Sequence, residues 1–293
     1  MRAVWNNIWI GAWVLAAICG ALCAQAQQQE PASQLVREVA YNELHDHAQH
    51  GFWRYWVEKR MPQGTRLEQQ VETADGTLTR LVLSNGLPLD ERTEQEEQAR
   101  LNRLMKSQQE QASQRQAYAE DERRVAAVLA LMPNAFAYEY EVDENGCHRL
   151  RFRPNPAYAG RLIDQRVVHA MSGELWVDAR MKRLVRLDGH LDENVDFGFG
   201  MLGRLYKGGW FRLQRTQVSA AEWKTEKLEV HFNGRAVLFK TIARETSELR
   251  GGFSAVPAGM NLAQGMQILR QTEARTQTLE KGRVAPAAFM HRR

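Results

Sequence analysis

Residues 173–187 read Gly-Glu-Leu-Trp-Val-Asp-Ala-Arg-Met-Lys-Arg-Leu-Val-Arg-Leu, and no other stretch constrains the fold as tightly. Leu175 and Val177 alternate with Trp176 and Asp178, a polar turn follows, and Leu184, Val185 and Leu187 resume the apolar run. Alternation with period two, broken by a short polar loop, marks two antiparallel strands. The same logic recurs at three dipeptides that favour tight turns, Asp75-Gly76, Asn145-Gly146 and Asn233-Gly234, each between alternating runs. Phe136, Tyr138 and Tyr140 precede the second, and Leu228, Val230 and Phe232 precede the third. A largely antiparallel sheet is therefore expected, starting with an aromatic strand at Phe52–Val57.

Helices are expected at three places. Leu35, Val36, Val39, Ala40 and Leu44 follow a capping Ser33 at helical spacing. Residues 89–132 contain no Gly or Pro and lie between Pro88 and Pro133, so they read as a helical segment. Unbroken it would extend about 65 Å, so a helical hairpin bent within Gln108–Gln116 suits a compact domain. Its nine acidic and seven basic residues between Asp90 and Arg124 are most simply a solvated face, or alternatively a docking surface. A last helix is expected from Met260, with a loose tail at 283–293.

Residues 1–26 fall outside this pattern. Arg2 is the sole charge before Glu30, Ile8–Leu22 is apolar, and Ala24-Gln25-Ala26 offers small residues to a signal peptidase. An export signal delivering the chain to the periplasm is the expectation, with an uncleaved anchor as the alternative. Ile18 and Leu22 precede Cys19 and Cys23 where a lipoprotein signal needs small residues. Cleavage leaves Cys147 as the only thiol, so the exported fold must rest on packing without an internal disulfide. With 44% hydrophobic and 25% charged residues, 27–293 reads as one globular domain. A net charge of +4 is too small for a nucleic-acid footprint.

No G-x-S-x-G elbow, H-E-x-x-H or P-loop occurs, so no enzymatic activity or cofactor is expected, although an undetected hydrolase stays open. Gly198–Gly203 matches G-x-G-x-x-G, but strand-forming residues follow where a nucleotide site needs a helix, so a bend in a curved sheet is expected. His45, His47 and His50 are spaced two, three and five apart, which does not share one helical face for metal. Asp178, Asp188, Asp192 and Asp196 could in principle pair as carboxylates, but strand-end aspartates usually form turns.

What remains is the sheet. Phe136, Tyr138, Tyr140, Trp176, Phe211, Leu228, Val230, Phe232 and Phe239 are the candidates for lining one concave apolar face. Covered by a helix, that face is an ordinary core; left open, it would hold an acyl chain.

The phrase Gly173-Glu-Leu-Trp-Val-Asp178 with Arg183-Leu-Val-Arg-Leu187, after an amphipathic helix, resembles the LolA-like and LolB-like lipoprotein carriers. The resemblance implies an α+β fold: a strongly curved antiparallel half-barrel packed with helices, here with the helical insertion 89–132. It further implies that the inner surface receives the acyl chains of a lipid or lipoprotein. An envelope interaction or sensor protein, using the sheet as a core and the charged insertion to dock a protein partner, is the alternative, because fold does not fix function.

Overall fold

In the computed structural model the described residues are 30–49, 51–158, 166–167, 169–197, 203–236 and 240–270. The expected leader 1–26, most of the glycine motif at 198–203, Phe239 and the tail lie outside them. The first described element is helix α1 (Ala32–Gln49), followed by strands β1 (Phe52–Met61), β2 (Gly64–Thr73), β3 (Gly76–Ser84) and β4 (Leu87–Pro88). Helices α2 (Glu91–Lys106) and α3 (Gln108–Ala135) follow. Then come β5 (Phe136–Tyr140), β6 (Cys147–Pro154), β7 (Met171–Asp178), β8 (Leu184–Leu191), β9 (Val195–Phe197) and β10 (Gly203–Leu205). The last strands are β11 (Trp210–Gln217), β12 (Trp223–Ala236) and β13 (Lys240–Val256), before a helix α4 at residues 262–270.

All thirteen strands form one antiparallel sheet in the order β4-β3-β2-β1-β13-β12-β11-β8-β7-β6-β5, with β10 beside the end of β12 and β9 beside β10. The protein is therefore α+β. Strand β13 joins the two halves, pairing β1 on one side and β12 on the other.

The turn chemistry explains two expected hairpins and corrects the third. Gly76 adopts φ +110° after Asp75, and Asn145-Gly146 adopts φ 52° and 78°, as tight turns require. Asn233-Gly234 is no turn, because β12 runs straight through it and pairs Gly234 with Ile242. The glycine serves close approach instead: a Cβ at Gly234 would stand 2.4 Å from the Arg204 carbonyl oxygen on β10. The organising hairpin is β7–β8, where Asp178 Oδ1 accepts from the Arg180 and Met181 amides at 3.0 and 2.6 Å and Lys182 takes φ 53°.

The long helical segment breaks at Ser107, one residue before the expected bend. Ser107 leaves the helical region and its side chain caps α3 by accepting from the Glu110 amide. Both helices serve the exposed edge of the sheet. Strand β4 pairs only with Leu83 and Ser84, which leaves most of the β3 edge open. There Glu97 Oε1 accepts from the Leu81 amide at 2.9 Å, while Arg100 and Gln114 donate to the carbonyls of Thr79 and Thr77 at 2.5 and 3.2 Å. Covering an open edge with side chains blocks pairing with another chain. Part of the charge read as a solvated face is thus spent on the sheet edge.

Three clusters of buried side chains flank the sheet, the smallest being Trp53, Tyr55 and Val57 of β1. On one face α1 (Leu35, Val36, Val39) and the end of α3 (Met132, Ala135) bury Phe136, Leu150, Phe152, Leu175 and Val177. On the opposite face, at β2–β3, Val71 and Leu78 pack with Leu101 and Leu104 of α2 and Leu262, Met266 and Leu269 of α4. None of the described helices is long and apolar enough to cross a membrane.

Candidate functional site

Pairing register decides which side chains share a face, because opposed residues in an antiparallel ladder point the same way. Two rows cross six strands. One runs Tyr138, Phe152, Gly173, Gly189, Phe211, Val230; the other runs Tyr140, Leu150, Leu175, Leu187, Leu213, Leu228. With Phe136 and Phe232 at their margins, they bring seven of the nine sequence candidates onto one apolar face. Phe239 lies outside the described residues.

Trp176 is a correction. It pairs with Arg149 and Arg186 on the opposite face, where Arg149 and Arg186 stack over its indole at 5.4 and 4.4 Å and its Nε1 donates to Glu144 Oε2 at 3.2 Å. Only 8% of it is exposed, yet what covers it is guanidinium rather than core.

The apolar face itself has two parts. Over β5–β7 it is filled: Leu150, Leu175 and Val177 are fully buried, and the Phe136 and Phe152 rings meet edge to face at 4.8 Å. The Tyr138 hydroxyl donates to the Met132 carbonyl of α3 at 2.8 Å, and burial pushes its ionisation far above the usual phenol range. Phe136 and Tyr138 are therefore core residues under α1 and α3, not the lining of an open groove. Over β11 and β12, Phe211, Leu213, Leu228, Val230 and Phe232 are all partly buried, and Phe211, Leu213 and Phe232 pack against the edge of the same core.

A charged latch closes the buried part. Glu43 of α1, 4% exposed, accepts from Arg183 Nε and Nη2 at 3.0 and 3.1 Å, from the Leu184 amide at 3.0 Å and from Arg215 Nη1. Burial alone would raise this carboxyl. The Arg183 hydrogen bond, the charges of Arg215 and Arg183, and the Leu184 amide outweigh it and hold the group below the ordinary carboxylate range. Beyond the latch lies a polar hollow of about 250 Å³ that includes Tyr55, Glu72, Lys224 and Arg250, with Lys224 Nζ held by Glu72 at 2.8 Å.

Ser172, His190 and Asp192, a cluster the sequence reading missed because its members lie on two strands, do meet. However, His190 Nε2 faces both Ser172 Oγ and Asp192 Oδ1 at 3.1 Å, and Ser172 donates to the same carboxylate at 2.9 Å. A relay needs the acid on the far ring nitrogen, so this triangle does not activate the serine.

The four aspartates are separately engaged: Asp178 in its turn, Asp188 by Arg186 and Arg212, Asp192 by Ser172, and Asp196 by Arg204. The Cys147 thiol is raised by burial and by Asp178, Glu144 and Asp143, which keeps it protonated and poorly nucleophilic. His45 bonds the Tyr41 carbonyl at 2.9 Å, and among the described residues no cluster of three or more metal-ligating side chains occurs. Compared with known proteins, the chain matches no family model and no curated sequence.

Proposed function

We propose that this chain is a non-enzymatic lipid- or lipoprotein-binding protein of the periplasm, sheltering acyl chains on the part of its apolar face formed by β11 and β12. One observation carries the reading: Phe211, Leu213, Leu228, Val230 and Phe232 continue the core rows and all five are partly buried, whereas Leu150, Phe152 and Leu175 in the same rows are enclosed. The resemblance to LolA-like carriers would make the sheet a strongly curved half-barrel with α2 and α3 as its insertion. In support, the sheet carries register shifts in β1, β2, β7–β8 and β11–β12. It also has glycines where strands crowd: a Cβ at Gly173 would meet the Asp188 carbonyl oxygen at 2.0 Å, and one at Gly189 would meet the Phe211 ring at 2.5 Å.

The energetics set the scale. Ten buried methylenes contribute about 8 kcal/mol, and association itself costs about 4 kcal/mol or more. A single chain would thus bind near millimolar, about −4 kcal/mol, whereas a lipoprotein with two or three chains would bind far more tightly.

A second reading is an envelope interaction protein, favoured by the filling of the face over β5–β7, which makes that part a plain core. Native mass spectrometry of protein purified from membrane-containing lysate separates the two. The first reading expects co-purified multi-acyl lipid that is lost in Val230→Glu and Phe232→Glu variants retaining the native circular dichroism spectrum. Lipid-free protein carrying a protein partner, released when exposed charges of α2 and α3 such as Arg92 and Arg124 are reversed, would replace it with the second.

A further inference from the structure

The face turned away from α1 carries a trough, and we infer that it binds a neutral oligosaccharide strand. Two hollows of about 470 and 280 Å³ meet on it, and Trp210 belongs to both. They follow adjacent strands β6-β7-β8-β11-β12-β13, so at about 4.8 Å per strand the trough runs roughly 24 Å. That length accepts several sugar rings in line.

Three features select the ligand. The first is charge. Arg151, Arg153 and Arg212 line the larger hollow together with Glu174 and Asp188, and Arg60 lines the smaller with Glu229 and Glu245. Four cations balance four carboxylates, so the trough offers no net attraction to nucleic acid, an anionic membrane or a polycation.

The second is the aromatic platform. Trp210 is 38% exposed and is propped by His231, stacked at 6.0 Å and 16°, and by Arg212 at 5.8 Å. A pyranose presents one face of C–H bonds to such a ring and a rim of hydroxyls to its surroundings.

The third is preorganisation. Arg212 bonds Asp188 at 3.2 Å and Glu229 at 3.4 Å across neighbouring strands, and Arg186 also holds Asp188. Planar carboxylates and guanidiniums already fixed by each other keep lone pairs and N–H groups free for neighbouring hydroxyls, with little side-chain ordering left to lose. This site lies on the opposite face from the acyl-binding strip and does not depend on it.

The test is calorimetric titration of the full chain with chitohexaose, cellohexaose and maltohexaose. At least one should bind with a dissociation constant of about 1 mM or tighter. Its affinity should fall tenfold or more in Trp210→Ala and in Asp188→Asn, and persist in Trp210→Phe, which keeps a stacking ring, and in Phe232→Ala on the other face. Circular dichroism and thermal melting establish that each variant folds. No binding of any of the three, or binding unchanged in folded Trp210→Ala, overturns the inference.

Discussion

Replacing Glu43 with glutamine removes a carboxylate charge held between two guanidinium groups while leaving the side-chain volume unchanged. Glu43 and Arg183 are 4% and 6% exposed, so solvent does little to replace the lost partner. Four donors converge on this carboxylate, two from Arg183, one from Arg215 and the Leu184 amide, and a carboxamide can serve only some of them. Breaking a buried pair by removing one member costs about 3–5 kcal/mol, and here the buried Arg183 and the largely buried Arg215 are left with one carboxylate fewer.

The assay is urea unfolding, where Glu43→Gln should lower the midpoint without changing the slope. In an Arg215→Leu background the same change should cost less, with a coupling of about 1–3 kcal/mol. The pH dependence has a definite sign. The folded carboxyl titrates below its unfolded value of about 4.3, so its contribution is complete above that pH and is lost as pH falls through the lower folded value. The gap between wild type and Glu43→Gln should therefore be flat from pH 7 to 5 and close below about pH 4. A loss under about 1 kcal/mol, or strict additivity with Arg215→Leu, would refute the latch.

Other consequences follow from single contacts. Gly173→Ala should destabilise by on the order of 3 kcal/mol, because its Cβ would meet backbone, whereas Gly86→Ala, with φ +77° and open space, should lose only about 1–2 kcal/mol of backbone strain; thermal melts compare them. Removing the Glu97 carboxylate by Glu97→Ala leaves the Leu81 amide without its acceptor at the β3 edge, so hydrogen exchange there should accelerate and size-exclusion chromatography should reveal self-association. Tyr138→Phe should cost about 1 kcal/mol, and ultraviolet titration should find one tyrosine fewer still protonated at pH 12 in this variant than in the wild type, where burial also raises Tyr55. At pH 7 the Cys147 thiol should react with a disulfide reagent more slowly than a free cysteine, and faster reaction would contradict its raised ionisation.

Much of the sheet was legible because alternation and turn dipeptides are local signals. The phase of β5, β11 and β12 came out correctly: Tyr138, Phe211, Val230 and their neighbours do share a face. Trp176 did not, although its alternation with Leu175 and Val177 already separated them. Hydrophobicity cannot announce that two arginines from neighbouring strands will cover an indole. Asn233-Gly234 reads locally as a turn, and only the approach of β10, thirty residues back, explains the glycine. Charges such as Glu97 and Arg100 looked solvated because the open carbonyls and amides of β3 they satisfy exist only once the sheet has formed. Whether an apolar face is filled or open is likewise a property of how α1 and α3 dock, which no single strand encodes.

Where hydrocarbon sits on the sheet can be read by crosslinking. A diacyl lipid bearing a photoactivatable diazirine in one chain, incubated with the protein and irradiated, labels the side chains that line its site, and peptide mass spectrometry locates them. The acyl-binding account predicts adducts concentrated in the peptides containing Phe211–Leu213 and Leu228–Phe232, competed away by unlabelled lipid. Labelling that ignores competition, or that falls on the opposite face around Trp176, would contradict it.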